Sequence, residues 1–415
     1  MERLRDIVIG IFRGPWRAVV VLGVTQILAW GFLWYPPVLT LPLIAAERGW
    51  SLSFAMAGLS VGLFVGGLTA STIGRSIDRF GGHVVMTAGS LAGAAGLVSL
   101  VIVEHHVSYF LTWMFLGVAM AASLYDSAFA TLGRIFGAQA RRPITLLTFA
   151  GGFASTIGWP ATLFLIDRVG WRWTYLTFAA LLAFVAAPLH AFVLPRTRAV
   201  HAVATVRDLA QHEATPRAIS GSAVLPVLIP IAAAFAAFAF ITSGLSAHML
   251  AIIGRGGIDP ATAVAIGALF GPAQVLARLC EYSFAGHMHP LLIARSAVAL
   301  MLMAFALLIL AGISVPVAAG FAVMFGMSNG LITVARGTVP LALFGAVGYG
   351  RMVGRIAGGA LVMQSIAPVT LAFVIERQSD RAALVVLALF AATALAGFLV
   401  ASRRAANQAL TTPLN

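Results

Sequence analysis

Lysine is absent from this chain, cysteine occurs once, at Cys280, and only 9% of the residues are charged. Without lysine, the chain cannot contain the Gly-x-x-x-x-Gly-Lys loop that holds nucleotide phosphates in P-loop proteins. One cysteine cannot form a disulfide within the chain or a cluster of thiolate metal ligands. Soluble domains carry about 25% charged residues, so this chain has too little charge to cover a water-exposed surface.

Sequence signatures of membrane-embedded catalysis are scarce as well. The sequence has no His-Glu-x-x-His pair, which is the helical zinc motif of metalloproteases. Its apolar blocks hold no cluster of His or Asp that could act together as acid and base. We therefore predict no catalytic residues, no metal and no cofactor.

Apolar residues, in contrast, make up 60% of the chain and fall into blocks of about 20 residues. An α-helix rises 1.5 Å per residue, so a block of this length crosses the ~30 Å hydrocarbon core of a bilayer. We predict an all-α polytopic membrane protein with twelve spanning helices. The blocks cover residues 17–44, 52–73, 84–103, 107–132, 144–166, 172–194, 224–252, 261–284, 291–311, 315–340, 352–375 and 382–401.

One long polar stretch, residues 195–223, separates the sixth block from the seventh. We predict that it is a linker between two six-helix bundles, residues 1–194 and 224–415. A shift of 205 residues pairs three glycines of the first half with three of the second: Gly62 with Gly267, Gly66 with Gly271, and Gly81 with Gly286. Tandem six-helix repeats in transporters bind their solute between the halves, near the bilayer midplane.

The net charge of +13 does not indicate a nucleic-acid partner, because the arginines lie mainly in the loops between apolar blocks. Basic residues are enriched in cytoplasmic loops. With the N-terminus inside, only six of the 26 arginines fall on the outer side: Arg48, Arg168, Arg172, Arg255, Arg377 and Arg381. We predict a bacterial inner-membrane protein, active as a monomer, with both termini and the linker in the cytoplasm. We expect residues 1–16 to be a cytoplasmic tail and not a cleaved signal.

A specific local pattern follows the second block. Residues 74–83 read GRSIDRFGGH. This segment resembles the loop signature of the major facilitator superfamily, Gly-x-x-x-Asp-Arg-x-Gly, and the matching residues are Gly74, Asp78, Arg79 and Gly81. Physically, Gly74 allows two helices to approach closely and Gly81 allows a tight turn. Asp78 can face the N-terminus of a neighbouring helix and help to hold an inner gate closed. The alternative is a charged, solvated turn.

The resemblance extends over the whole chain and implies the superfamily fold, two pseudo-symmetric six-helix bundles that move a small solute by alternating access. It also implies that helices one, four, seven and ten line the central cavity. The substrate-cavity candidates on these helices are Gln26, Trp30, Trp34, Tyr35, Tyr125, Ser243, His248, Asn329 and Arg336. Packing is the alternative role for the aromatic residues, and an internally satisfied polar contact is the alternative for His248.

Asp126 is the one carboxylate well inside a predicted span. A charge there costs at least ~2.5–3.5 kcal/mol on insertion scales. It can bind and release a proton as the cavity alternates, or it can form a permanent ion pair between helices. Arg336, in the second half, can bind an anionic substrate, pair with an aspartate when the substrate is absent, or extend from its helix end towards the membrane surface.

Arg278 and Glu281 lie three residues apart near the inner end of the eighth block, so they can share one helix face. We predict an ion pair between them, with a gating or structural role rather than a substrate-binding one.

Two further segments bear on the transported solute. Residues 151–156 and 336–341 resemble a bacterial subgroup of the superfamily that includes arsenite-efflux transporters. Antiporters of the superfamily often carry a Gly-Pro motif in helix five, where this chain has Gly158-Trp159-Pro160. We expect a proton-coupled secondary transporter, an efflux antiporter with a metalloid substrate. The alternative substrate is an organic anion, monocarboxylate-like, or a drug-like solute. A membrane-embedded enzyme and a passive channel or sensor are the alternatives from other functional classes. The remaining partner is the lipid bilayer.

Overall fold

The computed structural model describes residues 14–196, 219 and 221–411. Most of the predicted tail (1–16) and of the predicted linker (195–223) lies outside these residues. All regular structure within the described ranges is helical. The α-helices are α1 (Arg17–Ala29), α2 (Pro36–Arg48), α3 (Leu52–Phe80), α4 (Gly82–Ile102), α5 (His106–Ser123), α6 (Tyr125–Phe136), α7 (Arg141–Gly152), α8 (Ala154–Leu181), α9 (Val224–Arg255), α10 (Pro260–Ala268), α11 (Phe270–Cys280), α12 (Pro290–Ala311), α13 (Val315–Phe344), α14 (Tyr349–Arg377) and α15 (Asp380–Thr411).

Ten helical stretches in the described part of the chain are long and apolar enough to cross a membrane. One of them, His106–Val193, has 88 residues, which is ~130 Å if straight and about four bilayer cores. It is interrupted at Gly137 and Gly170, whose φ angles of 56° and 77° lie in the left-handed region. The stretch therefore holds the predicted fourth, fifth and sixth crossings. The all-helical fold with twelve crossings is confirmed for the described residues.

Two prolines interrupt the first crossing. Proline has no N–H, so Pro36 and Pro37 cannot continue the regular helical hydrogen bonds. The helix widens just before them, over Trp30–Trp34, and the Tyr35 N–H donates to the Trp30 carbonyl at 3.1 Å. The widened turn lets the first crossing run from α1 into α2 while it presents two tryptophans to the centre of the molecule.

The buried side chains form separate cores in the two halves of the sequence. The larger core has buried members only between Val227 and Ala401, and a second core has them only between Ala29 and Ala186. A third cluster joins the halves, because Leu341, Tyr349 and Val353 pack with residues of the first half. The exterior is apolar: Phe184 and Leu310 are 79% and 83% exposed. A lipid-facing surface explains this exposure.

A seam of small residues joins α3 of the first half to α14 of the second, and we call it the glycine seam. Gly67 faces Gly358, and a Cβ added to either would lie 2.8 Å from the carbonyl oxygen of the other. Gly74 and Gly350 face each other nearer one end, where a Cβ on Gly350 would lie 2.6 Å from the Gly74 carbonyl oxygen. Because no side chains intervene, the two backbones are in direct contact, as in other close helix pairs within membranes.

We predict that Gly358→Ala destabilises the protein. The added methyl group would meet the Gly67 backbone, which cannot rotate away as a side chain can, and overpacking of this kind costs about 1–3 kcal/mol. Gly254→Ala is the matched control, since a Cβ on this helical glycine has no neighbour within 4 Å among the described residues. Thermal unfolding in detergent should show a lower midpoint for Gly358→Ala alone. Equal midpoints for both variants would contradict the close packing of the glycine seam.

Candidate functional site

The fourth crossing is broken in its middle, and the break positions Asp126. Helix α5 ends at Ser123 and α6 begins at Tyr125, with Leu124 extended between them (φ −84°, ψ −170°). Asp126 therefore lies in the first turn of α6, where the helix dipole favours a negative charge. The break also frees carbonyl groups. The Ser123 carbonyl accepts a hydrogen bond from Gln26 Nε2 at 2.7 Å.

Asp126 forms an ion pair with Arg336 across the two halves of the sequence. Arg336 Nη2 lies 2.6 Å from Asp126 Oδ2. The two side chains are 19% and 21% exposed, so both reach an open space. Asp126 Oδ1 and Arg336 Nε have no hydrogen-bond partner among the described residues. The contact is thus a single bond and not the two-bond fork that arginine and carboxylate can form.

This open space is a small central cavity, and the ion pair forms part of its wall. Its polar and aromatic lining consists of Trp30, Trp34, Tyr125, Asp126, Arg336 and Gln364. The ring centroids of Trp30 lie 5.2 Å from Trp34 and 5.1 Å from Tyr125, so the aromatic side chains form a continuous wall. The cavity volume is about 30 Å³, room for ~2 water molecules. A solute larger than this requires the helices to move apart.

Other predicted cavity residues lie behind the wall and do not line it. Gln26 is fully buried and accepts a hydrogen bond from Trp30 Nε1 at 3.1 Å, which fixes the indole ring. The Ser243 hydroxyl donates to the Gln364 carbonyl at 2.8 Å, and His248 Nε2 lies 2.9 Å from the Pro368 carbonyl oxygen. Ser243 and His248 therefore connect α9 to α14, while Tyr35 packs against Trp159 at 6.1 Å.

A second polar cluster surrounds Arg278 on α11. The guanidinium donates to the Thr148 carbonyl at 2.7 Å, to Gln274 Oε1 at 3.1 Å and to the Gly330 carbonyl at 3.4 Å. Gln274 Oε1 also accepts from Asn329 Nδ2 at 2.9 Å. Arg278 is only 3% exposed. The cluster joins α7, α11 and α13, and it reaches the cavity through Tyr125, which adjoins Arg278.

The predicted ion pair between Arg278 and Glu281 does not form. Glu281, 2% exposed, pairs instead with Arg141 Nη2 at 3.1 Å. Arg141 also donates to the carbonyls of Met288 at 2.7 Å and Ala285 at 3.2 Å. The helix widens over Glu281–Ala285, directly after Arg278, and the regular spacing on which the predicted pair depends does not continue there. Arg141 and Arg278 thus link α7 to the α11 region at two levels. We call these contacts the arginine seam.

The signature residues lie at the end of the glycine seam where Gly74 faces Gly350. Asp78 accepts hydrogen bonds from the backbone N–H groups of Gly350 at 2.9 Å and Arg351 at 2.8 Å. These are free N–H groups in the first turn of α14, which a carboxylate satisfies well. Gly81 has a φ of 89° and allows the tight turn into α4. Arg79 lies over the Phe80 ring at 5.0 Å.

Comparisons with known proteins agree with this architecture. A family model described as Major Facilitator Superfamily matches residues 19–346. A search of curated proteins finds no match. The chain is similar in structure to the human organic anion transporter MFSD10 (TETRAN), with a TM-score of 0.70 and 16% sequence identity over 93% of this chain and 99% of that chain. At this identity the likeness shows the fold alone.

We predict that Arg141→Gln destabilises the closed arginine seam. The substitution leaves the Glu281 carboxylate buried without its partner, and breaking a buried pair in this way costs about 3–5 kcal/mol. The double variant Arg141→Gln/Glu281→Gln should recover most of the loss because no uncompensated charge remains. Arg142→Gln, at the exposed neighbouring residue, should change the unfolding free energy by no more than about 0.5 kcal/mol.

The measurement is the free energy of unfolding in mixed micelles for the unchanged protein, the three variants above and the Glu281→Gln single variant. Equal losses for Arg141→Gln and Arg142→Gln, or additive losses in the double variant, would show that the pair contributes nothing to stability.

Proposed function

Because the chain belongs to the major facilitator superfamily, we propose that its Asp126–Arg336 pair couples the movement of a small solute to the movement of protons. The chain is a multi-pass membrane protein and a secondary transporter, and it is not an enzyme. The observation that carries the proposal is the single contact of 2.6 Å between these side chains in the cavity wall.

Protonation is the event that releases this pair. A proton on Asp126 removes the negative charge, and Arg336 then loses its electrostatic partner. Asp126 Oδ1 is buried and has no hydrogen-bond partner among the described residues, so a proton placed on it would displace no existing hydrogen bond. Because α6 and α13 belong to different halves of the sequence, loss of the ion pair weakens a contact that holds the halves together. Protonation and opening are therefore linked.

The same event exposes a cation to the solute. Once Asp126 is protonated, the Arg336 guanidinium can bind an anionic group in the cavity. We favour an organic anion, monocarboxylate-like, whose apolar part packs against Trp30 and Trp34. The proton and the anion then load together, and net efflux follows wherever their gradients drive them outwards. Antiport is the second candidate. It requires a drug-like cation that competes with the proton for Asp126.

Arsenite or antimonite is the substrate that the site favours least. Cys280, the one thiol in the chain, is exposed on α11 and is not part of the cavity lining. The match to the family model and the likeness to MFSD10 give no support to an arsenite-efflux subgroup. The charge of Arg336 also gives no advantage to a neutral metalloid acid.

The placement in the membrane is part of the proposal. The arginine distribution supports an orientation with both termini in the cytoplasm, and the proposed membrane is a bacterial inner membrane. Residues 1–194 and 224–415 are proposed as the moving bundles, 195–223 as their linker, and the monomer as the active form. In this orientation the Asp78 and Arg141 contacts lie at the cytoplasmic side. The described state is then closed towards the cytoplasm.

We predict that Asp126→Asn removes the pH dependence of opening. Spin labels at Gln139 and Val347, both exposed at the same end of the molecule as the two seams, would report the separation of the halves in a Cys280→Ser background. In the otherwise unchanged protein, acidification should lengthen the distance between the labels, because Asp126 loses its charge. Asp126→Asn should give the long distance at neutral and acidic pH alike.

Asp259→Asn is the control, since Asp259 is an acidic residue outside the spanning helices that caps α10. It should keep the pH response of the parent protein. A full pH response in Asp126→Asn would rule out this carboxylate as the coupling site. The readout needs no knowledge of the transported solute.

A further inference from the structure

Arg278 is a buried cation without a carboxylate partner among the described residues. It donates to two backbone carbonyls and to the Gln274 side chain, and the neutral Tyr125 side chain adjoins it. Two other arginines at the interface between the halves are neutralised by carboxylates: Arg336 by Asp126, and Arg141 by Glu281. A charged group that is removed from water and paired only with neutral dipoles is costly, and proteins keep such a charge in a membrane for function.

The surroundings of Arg278 are divided between the two halves of the chain. Gln274 and the Gly330 carbonyl belong to the second half, whereas the Thr148 carbonyl and the Tyr125 ring belong to the first. The shortest hydrogen bond of Arg278, 2.7 Å from Nη1 to the Thr148 carbonyl oxygen, therefore crosses the interface between the halves. When the arginine seam opens, the guanidinium keeps the partners of its own half and loses those of the other half.

Space for the guanidinium is also provided by the first half. A Cβ added to Gly152 would lie 2.9 Å from Arg278 Nη1. Gly152 and Thr148 lie one helical turn apart on α7 and form the surface against which Nη1 is held. When α7 moves away, this side of the guanidinium faces the opening between the halves.

We propose that Arg278 is the first binding residue for the carboxylate of an organic anion that enters when the arginine seam is open. This inference rests on the proposed transport function and deepens it. The carboxylate takes the place of the Thr148 carbonyl and gives Arg278 the counter-ion that it lacks in the closed state. Arg278 lies in the arginine seam and outside the cavity lining, whereas Arg336 lines the cavity, so an anion that enters through the open seam meets Arg278 first. Tyr125, which adjoins Arg278 and lines the cavity, connects the two positions.

The experiment is counterflow of labelled probes in proteoliposomes. The probes are benzoate, lactate and succinate as anions, arsenite as a neutral acid, and tetraphenylphosphonium as a cation. We expect counterflow of at least one anion. For that anion, Arg278→Gln should raise KM by about tenfold or more, the loss expected when a hydrogen-bonded charge pair is removed. Arg278→Lys should restore part of the affinity, because it keeps the charge but not the fork of donors.

The double variant Arg141→Gln/Glu281→Gln separates binding from a purely structural role. It replaces the charged contact of the same seam by a neutral one without leaving an uncompensated charge, and it leaves Arg278 unchanged, so it should alter the maximal rate and leave KM within about twofold. If Arg278 only holds the helices in place, Arg278→Gln will behave like this double variant and the inference fails. The level of folded protein after size-exclusion chromatography verifies that each variant is assembled.

The remaining outcomes are also decisive. Counterflow of arsenite or tetraphenylphosphonium without any anion would overturn the anion-binding role of Arg278 and leave proton coupling by Asp126 intact. An unchanged KM for the transported anion in Arg278→Gln would do the same. Absence of counterflow for all five probes would overturn the anion-binding role of Arg278. Together with a pH-independent separation of the halves, it would also remove the proposed function.

Discussion

The ion pair between Asp126 and Arg336 joins the two halves of this protein beside the cavity. Neither charge can be left alone in an apolar interior without a large cost, and the partner of each is in the other half of the sequence. In the proposed function, the arrangement of the halves is therefore controlled by an interaction that a single proton removes. The break at Leu124 adds to this control because it places Asp126 at a helix N-terminus and beside the cavity.

The remaining contacts between the halves follow from the same constraint. Polar groups that cross the interface are satisfied from the opposite side: Asp78 by the N–H groups that begin α14, Glu281 by Arg141, and Arg278 by the Thr148 carbonyl. None of these bonds can persist when the halves separate. An open state must replace them with water or solute, which makes the hydration of this end of the molecule part of the energetics of transport.

Sequence reasoning predicted the crossings well because their signal is strong and local. A block of about 20 apolar residues has few structural alternatives to a spanning helix. The signature at residues 74–81 was equally informative, because a charged turn between two spanning helices is short and the apolar blocks on either side fix its place in the fold. The break at Leu124 was missed. Ser123, Asp126 and Ser127 cluster there, and such residues favour helix ends, but their signal is weak within an apolar run.

The pairing of Glu281 with Arg141 could not be predicted from sequence for a different reason. The two residues are 140 positions apart, and only the packing of α7 against the α11 region brings them together. Arg278 was assigned to Glu281 by helical spacing, yet the helix widens just after it and Arg278 bonds to carbonyl groups that have no sequence signature. Of the cavity candidates, Trp30, Trp34, Tyr125 and Arg336 line the cavity together with Asp126. The others support neighbouring helices: Gln26, Tyr35, Ser243, His248 and Asn329.

The two seams between the halves differ in chemistry, and this difference bears on which one a solute can influence. The glycine seam is made by backbone contacts and by Asp78 on helix N–H groups, so its strength depends on shape and on fixed dipoles. The arginine seam is made by charged side chains, one of which, Arg278, has no counter-ion among the described residues. In the proposed function, the arginine seam offers an entering anion a buried cation that has no carboxylate partner among the described residues. In the proposed function, loading of the solute therefore acts on α7 and α11, and the close backbone contact of the glycine seam is the proposed pivot for rotation of the halves.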